Sequence, residues 1–154
     1  MPWVMLQSQP NMAFERGAPK AARPLPLENK GGLHMPWQYN QRTGRLMRNG
    51  HYVGVGYSGR AAGRNNPSLE NFRNIGPIPR GRYRIGPQHS HPTKGPITMI
   101  LSPIGHTANG RTNFLIHGDS IDHPGDASEG CIVLAHAIRQ AIVASGDTDL
   151  EVVQ

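Results

Sequence analysis

Hydrophobic and polar residues alternate in short runs along most of the chain, and this pattern predicts β-strands rather than long helices. Most runs are bounded by glycine, proline, asparagine or serine, which favour turns. Asn49-Gly50, between two such runs, is typical of a two-residue β-hairpin. The runs that we interpret as strands are residues 37–39, 45–48, 51–57, 82–85, 97–101, 112–116 and 150–153.

Helical composition of convincing length is confined to one stretch. Residues 135–144 are rich in alanine and aliphatic side chains, and Ser145-Gly146-Asp147 ends the stretch. Residues 68–73 predict one or two helical turns, and residues 89–95 predict a polar loop. Together with the strand pattern, this predicts a mainly β domain with one short helix.

The beginning of the chain differs from the rest. Its prolines break helices, and Gly31-Gly32 closes the segment. The tripeptide Met-Pro-Trp occurs at residues 1–3 and again at residues 35–37. We therefore interpret residues 1–34 as a leader or arm, and residues 35–154 as the folded domain.

Neither a secretory signal peptide nor a membrane-spanning segment is expected from the sequence. Two prolines interrupt the first 12 residues, and no apolar run reaches 18 residues. We expect a protein that is made in the cytoplasm and does not insert into a membrane. A substrate outside the cytoplasm then requires export by a route without a cleaved Sec signal.

Composition and charge narrow the possible classes of protein. A single cysteine excludes an intrachain disulfide and cysteine-rich zinc modules. The net charge of +6 is spread unevenly: residues 42–84 hold nine arginines and one acid, Glu70, whereas residues 115–154 hold seven acids and one base, Arg139. No nucleic-acid-binding motif accompanies the arginines, so we expect no nucleic-acid partner. The basic part is either a solvated face or a surface attracted to an acidic polymer.

The residue types that carry chemistry are concentrated between His117 and Cys131. Apolar runs precede His117 and follow Cys131 and anchor the two ends of the polar segment, so its first and last side chains can be brought together. A thiol needs a base to become a thiolate at neutral pH, and histidine is the usual base. Gly130 allows close approach of a substrate, and the amides of Gly130 and Cys131 are candidate oxyanion donors. The structural alternative is that Cys131 is a small buried apolar residue.

Two segments resemble the signature of the L,D-transpeptidase catalytic domain of bacterial cell-wall enzymes. They are Ile116-His117-Gly118 and Ser128-Glu129-Gly130-Cys131-Ile132. Glu129 replaces the histidine of the family's His-Gly-Cys, Val133 stands where many members carry arginine, and the gap between the segments is slightly short. These departures resemble a branch of effectors that bacteria deliver by type VI secretion. The likeness extends over roughly residues 35–154 and includes Met35 to Trp37, Gly54 to Gly59 and Asn74 to Tyr83.

The resemblance implies a β-sandwich with one short helix after a catalytic cysteine, Cys131, near the helix start. It also implies a cofactor-free cysteine enzyme that attacks peptidoglycan stem tetrapeptides, forms an acyl-thioester and releases D-alanine. Water then gives L,D-carboxypeptidase activity, and an amine gives D-amino acid exchange or cross-linking. The expected partners are stem peptides, type VI secretion components and a periplasmic immunity protein. The expected place of action is the periplasm of a target bacterium.

Several residues have more than one possible role in such a site. The group that orients His117 is either the Gly118 carbonyl or the Asp119 side chain, although Asp119 is also a plausible turn-former. Ser128 either shapes the cysteine turn or is an ordinary turn serine. His123 is the rival base, or else a loop residue that touches substrate. Glu129 raises the pKa of the thiol unless it points to solvent or binds an amine.

Other side chains are candidates for lining the cleft and binding a substrate carboxylate, or else are structural or solvated. They are Tyr57, Ser58, Arg60, Arg64, Arg80 and Arg82. A zinc site built from His89, His91, His117, His123 and Cys131 is an alternative that lacks nearby acids, and we expect no metal. The non-enzymatic alternative is a basic β-domain that binds cell wall, with Cys131 structural. It fits the arginines but leaves the motif around Cys131 unexplained.

Overall fold

The computed structural model describes residues 36–154, which belong to one compact unit, and the predicted leader at residues 1–34 lies outside the described residues. The described part contains ten strands and one α-helix. The strands are β1 (Trp37–Asn40), β2 (Arg45–Arg48), β3 (His51–Val55), β4 (Tyr57–Ser58), β5 (Gly81–Ile85), β6 (His89–His91), β7 (Gly95–Ile104), β8 (Phe114–His117), β9 (Ile132–Val133) and β10 (Asp149–Val153). The helix is α1 (His136–Ser145). The predicted mainly β fold with one short helix is confirmed.

The strands form one curved sheet. Its order is β3-β2-β1-β10-β5-β7-β8-β9-β4, and β6 pairs with β7 beside this path. The pairs β1–β10 and β8–β9 are parallel, and the other pairs are antiparallel. The two ends of the order, β3 and β4, are separated in the chain by Gly56 alone. The sheet must therefore curve until its ends approach each other, which makes it barrel-like.

The core is filled from alternate positions of the strands, as the period of a half-buried strand requires. On β10, Leu150 and Val152 are buried, and the residues between them are more exposed. Tyr83 of β5 is fully buried, and its hydroxyl donates to the Pro79 carbonyl at 2.7 Å. Helix α1 adds Ile142 to the same core. No helix in residues 36–154 is long and apolar enough to cross a membrane.

The strand predicted at residues 51–57 is divided at Gly56. A Cβ at this position would collide with the Val133 carbonyl oxygen, so only glycine lets the chain pass this close to β9. The chain leaves β3 at Val55 and enters β4, which pairs with β9 at the opposite end of the strand order. The alternation of side chains alone does not reveal this change of neighbour.

Two further predictions were wrong in detail. The predicted polar loop at residues 89–95 contains β6, which pairs with the first half of β7. The strand predicted at residues 97–101 is longer than expected, because β7 runs from Gly95 to Ile104 and includes Pro103. Pro103 is tolerated because this end of β7 pairs with β5 on one side only, so its missing N–H is not needed. The predicted helix at residues 135–144 differs from α1 by one residue at each end.

Candidate active site

The parallel pair β8–β9 brings His117 and Cys131 to the same face of the sheet. Ile116 is in register with Ile132, and His117 with Val133. Because side chains alternate between faces, Ile116 and Ile132 point into the core, where both are buried. His117, Val133 and Cys131, which directly precedes β9, share the other face. The two residues predicted from the motif are thus neighbours across two strands.

The imidazole of His117 is fully buried and held in one orientation. Its Nδ1 lies 2.7 Å from the Gly118 carbonyl oxygen. A carbonyl only accepts, so Nδ1 carries the proton and Nε2 keeps its lone pair. Nε2 is buried and has no hydrogen-bond partner in the described part of the chain. Burial lowers the pKa of His117, and nearby cations lower it further. The hydrogen bond to the Gly118 carbonyl raises it, but the net shift of the pKa is downward. The ring is therefore a neutral base with a free acceptor.

The thiol of Cys131 is mostly buried, with 9% of the residue exposed. It donates to the Asn113 carbonyl at 3.8 Å, so it is not hydrogen-bonded to His117 in this conformation. Burial raises the pKa of the thiol, and Glu129 raises it further, whereas a Leu115 backbone hydrogen bond, Lys94 and Arg111 lower it. The thiol is protonated at neutral pH in this state. Activation requires the S–H to turn from the Asn113 carbonyl towards Nε2.

The expected position of Cys131 beside a helix start is wrong. Helix α1 begins at His136, and β9 lies between the cysteine and the helix. The helix dipole acts within the first turn, so it is not a source of thiolate stabilisation here.

Ser128 closes the cysteine turn. Its hydroxyl donates to the Cys131 carbonyl at 2.6 Å and accepts from the amides of Gly59 at 2.8 Å and Gly130 at 3.1 Å. The prediction that Ser128 shapes this turn agrees with the geometry. The same bonds correct the role of Gly130: its amide is turned to Ser128, so it is not free to hold an oxyanion. Gly130 has a φ of 136°, and a Cβ there would be 2.5 Å from Arg111 Nη2, so glycine is required at this position.

Asp119 does not orient His117. Its Oδ1 accepts from the Tyr57 hydroxyl at 2.6 Å and the Ser120 amide at 2.8 Å, and both oxygens accept from the Gly125 amide at 3.1 Å. Desolvation raises the pKa of Asp119, but these hydrogen bonds outweigh it and the net shift is downward. Of the two predicted orienting groups, the Gly118 carbonyl is therefore the one in contact with His117.

Tyr57 is structural rather than substrate-binding. Besides donating to Asp119, its hydroxyl accepts from the Ala127 amide at 2.9 Å. The Arg64 guanidinium lies 4.4 Å from the centre of the Tyr57 ring and donates to the Gly125 carbonyl. Desolvation, with the Asp119 hydrogen bond, raises the pKa of Tyr57 to about 12. These contacts, which we call the Tyr57–Asp119 clamp, hold the loop at residues 118–127.

Ser58 and Arg60 also differ from the prediction. Ser58 is fully buried; its hydroxyl donates to the Gly130 carbonyl at 3.2 Å and accepts from the Ile78 amide at 2.8 Å. Arg60 donates to the Asn74 carbonyl at 3.1 Å and does not line the cavity beside His117. The Ser58 side chain thus supports the backbone of the cysteine turn, and the Arg60 side chain supports the backbone at Asn74.

A cavity of about 810 Å³ opens beside His117. One wall is the turn between β6 and β7, and the other is the loop at residues 118–127. His123 and Glu129 line it, as predicted for residues that meet a substrate, and both are exposed. The charged residues of the lining are two bases, Lys94 and Arg139, and four acids, Asp119, Asp122, Asp126 and Glu129. Cys131 does not line this cavity in the present conformation.

Two buried arginines near the site were not predicted from the sequence. Arg111 is 5% exposed and donates to the carbonyls of Glu70, Gly76, Pro77 and Glu129. Arg139 is 7% exposed and lines the cavity. Neither belongs to a recognisable motif, but Arg139 is the only base in residues 115–154, and that isolation was a usable signal.

The histidines considered for zinc do not assemble into a site. Residues 36–154 contain no group of three or more His, Cys, Asp or Glu side chains arranged to hold a metal ion. His89 and His91 lie on β6 with ring centres 6.2 Å apart, and His91 Nδ1 accepts from the amides of Thr93 and Lys94.

Comparison with solved structures gives similarity to L,D-transpeptidases. A cysteine-to-serine mutant of the Enterococcus faecium L,D-transpeptidase has a TM-score of 0.50 and 14% identity, over 77% of this chain and 49% of that chain. Our chain therefore spans about half the length of that protein. Mycobacterium tuberculosis L,D-transpeptidase 1 has a TM-score of 0.46 and 14% identity, over 79% of this chain and 62% of that chain. The Enterococcus structure confirms the expected L,D-transpeptidase-like fold.

A comparison of sequences gives the family. No curated protein matches the chain. A family model described as the Tlde1 domain matches residues 53–153, about two thirds of the chain. The matched region contains His117, Cys131, the Tyr57–Asp119 clamp and the whole cavity lining. The chain therefore belongs to the Tlde1 domain family.

Proposed function

We propose that the protein is a cysteine-dependent L,D-carboxypeptidase and L,D-transpeptidase that acts on the tetrapeptide stems of peptidoglycan. The observation that carries the proposal is the pairing of β8 with β9, which puts a neutral imidazole with a free Nε2 on the same face of the sheet as the single thiol. The L,D-transpeptidase-like fold and the family resemblance support the choice of substrate. No cofactor is needed for this chemistry.

The proposed reaction begins with proton transfer from the Cys131 sulfur to His117 Nε2. The thiolate attacks the carbonyl carbon between the L centre of the diamino acid and D-alanine, and a C–S bond forms. The Cys131 amide is the remaining candidate donor to the oxyanion, since the Gly130 amide is bound to Ser128. Nε2 then gives its proton to the D-alanine nitrogen as the C–N bond breaks. D-Alanine leaves, and an acyl-thioester remains.

The second half of the reaction decides the product. Water attacks the thioester and gives a tripeptide stem, or the amine of a D-amino acid or of another stem attacks and gives exchange or a cross-link. In each case the nucleophile loses a proton to Nε2, and the sulfur regains that proton as the C–S bond breaks. The Gly118 carbonyl keeps its hydrogen bond from Nδ1 in both halves and stabilises the imidazolium while it exists.

The biological role that we propose is that of an antibacterial effector delivered by type VI secretion. Trimming or exchanging D-alanine in a target periplasm removes the donor stems used for cross-linking. A cell that makes such an enzyme then needs a periplasmic immunity protein. The open cavity beside His117 is a suitable surface for that protein to cover.

The experiment that tests the reaction is digestion of defined disaccharide-tetrapeptides followed by mass spectrometry. We expect loss of D-alanine in buffer and a mass exchange when another D-amino acid is added. Neither product should form with Cys131→Ala. Unchanged tetrapeptide with the folded wild-type protein would contradict the proposal.

A non-catalytic wall-binding domain is the second candidate, and exposed arginines favour it. Arg42, Arg45, Arg73 and Arg84 are exposed on the described part of the chain. Under that alternative Cys131 is an inert buried thiol, and the rate of its alkylation by iodoacetamide would not depend on His117. Under our proposal, the rate of alkylation of Cys131 depends on His117 and falls in His117→Ala.

A further inference from the structure

Arg139 is a buried cation that no carboxylate neutralises among residues 36–154. Its Nε donates to the Leu134 carbonyl at 3.0 Å, and its Nη1 donates to the carbonyls of Pro96 at 2.6 Å and Ile97 at 3.2 Å. Nη2 has no hydrogen-bond partner in the described part of the chain. The guanidinium is thus fixed by three carbonyls and keeps free donor capacity, which suits it to bind a carboxylate.

The free Nη2 lies against Gly118, the residue that follows the catalytic histidine of the proposed reaction. A Cβ added at Gly118 would be 2.7 Å from Nη2, and Gly118 is the residue that anchors His117 Nδ1. Arg139 and His117 line the same cavity. Burial lowers the pKa of Arg139 because its charged form is less well hydrated there. A bound anion would offset this cost.

The chemistry of the proposed reaction places an anion at this position. His117 Nε2 must approach the nitrogen of the leaving D-alanine to protonate it. The C-terminal carboxylate is attached to the carbon next to that nitrogen, so its own carbon lies only about 2.5 Å from the nitrogen by standard bond lengths.

We propose that Arg139 binds the C-terminal carboxylate of the stem tetrapeptide through Nη2 and restricts the enzyme to peptides with a free C-terminal D-residue. The inference rests on the proposed function and adds a specificity determinant to it. A peptide that continues beyond D-alanine, or ends in an amide, leaves the guanidinium buried without its anion. Such a peptide loses a charge-assisted hydrogen bond as well as the charge itself.

Lys94 is the other cation of the cavity, and the structure favours Arg139 over it. Lys94 lies in the turn between β6 and β7 and is half-buried, and its ammonium makes no hydrogen bond in the described part of the chain. A flexible lysine has to be ordered on binding, whereas the arginine is already held. Lys94 is therefore the natural comparison in a test.

The test compares two substrates that differ only at the C terminus: a tetrapeptide stem ending in D-alanine and the same stem ending in D-alaninamide. For wild-type protein we expect kcat/KM for the acid to exceed that for the amide by about tenfold or more. In Arg139→Gln the acid should be turned over no faster than the amide, and in Arg139→Lys the preference should be partly restored. The exposed Arg42→Gln is the control and should keep the wild-type preference.

The outcomes separate this inference from the proposed function. Cys131-dependent turnover of both substrates at equal rates by wild-type protein would overturn the role of Arg139 and leave the cysteine mechanism intact. Absence of any Cys131-dependent turnover of the acid would overturn the proposed function. Loss of the preference in Lys94→Gln, with the preference kept in Arg139→Gln, would assign the carboxylate to Lys94. If Arg139→Gln does not fold, the wild-type comparison and the Lys94→Gln and Arg139→Lys variants still decide the question.

Discussion

At the scale of single residues, the site depends on which ring nitrogen of His117 is free. The Gly118 carbonyl fixes the proton on Nδ1 without adding a negative charge, and burial keeps the ring neutral. A carboxylate partner would have raised the pKa of the imidazole instead. The site therefore holds a neutral thiol and a neutral imidazole in the free protein.

Cys131→Ala should abolish D-alanine release and D-amino acid exchange while leaving the fold intact. The change removes the nucleophile but only one buried sulfur, so the free energy of unfolding should change by about 1 kcal/mol. Muropeptide digestion and chemical denaturation measure the two effects on the same sample. Activity that survives in this variant would exclude a mechanism through the thiol.

His117→Ala should lower kcat by about 10²- to 10⁴-fold, which is the range for loss of a general base. His123→Ala is the matched control, because it removes an exposed imidazole that lines the same cavity. Its effect should be about tenfold at most, and mainly in KM. If His123→Ala were the severe variant and His117→Ala the mild one, the assignment of the base would be reversed.

The pH dependence of kcat/KM should be a broad bell. Its acid limb reports protonation of His117, whose pKa burial holds below the ordinary value of 6.5, so activity should persist below that pH. Its alkaline limb reports loss of the Cys131 proton, and burial raises the pKa of that thiol. If kcat/KM already falls at a pH above 6.5 as the pH is lowered, that result would contradict a buried neutral base at His117. The lowered pKa of His117 also makes the folded state less stable as the pH falls below 6.5. The unfolded chain then binds a proton on this histidine that the folded chain does not bind.

At the scale of elements, the parallel β8–β9 pair and the Tyr57–Asp119 clamp position different parts of the site. The pair sets the positions of His117 and Cys131, and the clamp holds the loop that joins the two strands. Tyr57 is on β4, the next strand after β9 in the order. The Tyr57 side chain thus connects β4, at one end of the strand order, to the loop at residues 118–127 that lines the cavity.

Tyr57→Phe should destabilise the protein by about 1–2 kcal/mol and reduce kcat/KM. The change removes the hydroxyl shared by Asp119 and the Ala127 amide and leaves both without that partner. Urea denaturation measures the first effect, and limited proteolysis within residues 118–127 reports the loosened loop. Tyr52→Phe is the control, because Tyr52 is 53% exposed and its hydroxyl makes no hydrogen bond in the described part of the chain. Equal effects of the two changes would argue against the clamp.

The sequence predicted elements where local rules decide the structure and failed where distant contacts decide it. The Asn49-Gly50 turn, the hairpin around it and helix α1 follow from turn chemistry and composition. The break at Gly56 depends on the Val133 carbonyl. The tolerance of Pro103 depends on the fact that β7 pairs there with β5 but no longer with β8. Within the site, His117 and Cys131 were visible from the motif. The roles of Ser58, Arg111 and Arg139 depend on backbone carbonyls far along the chain, which no local sequence pattern indicates.

At the scale of the whole molecule, the uneven charge of the chain matches the uneven charge of the cavity. Of the seven acids in residues 115–154, four line the cavity together with Lys94 and Arg139: Asp119, Asp122, Asp126 and Glu129. The proposed substrate carries both an ammonium, on the diamino acid, and carboxylates. A cavity lined by both acidic and basic side chains complements both kinds of charge on such a peptide.

The last prediction concerns where the protein acts. When it is expressed in a susceptible Gram-negative host, growth arrest, swelling or lysis should appear only when a Sec signal is fused to the chain, because the proposed substrate lies in the periplasm. The effect should disappear with Cys131→Ala and persist with the exposed Arg42→Gln control. Analysis of the host peptidoglycan should then show fewer tetrapeptide stems and more tripeptide or exchanged stems. Equal toxicity from the cytoplasmic form, or toxicity that does not need Cys131, would point to another target, and the exposed arginines would make nucleic acid the first one to examine.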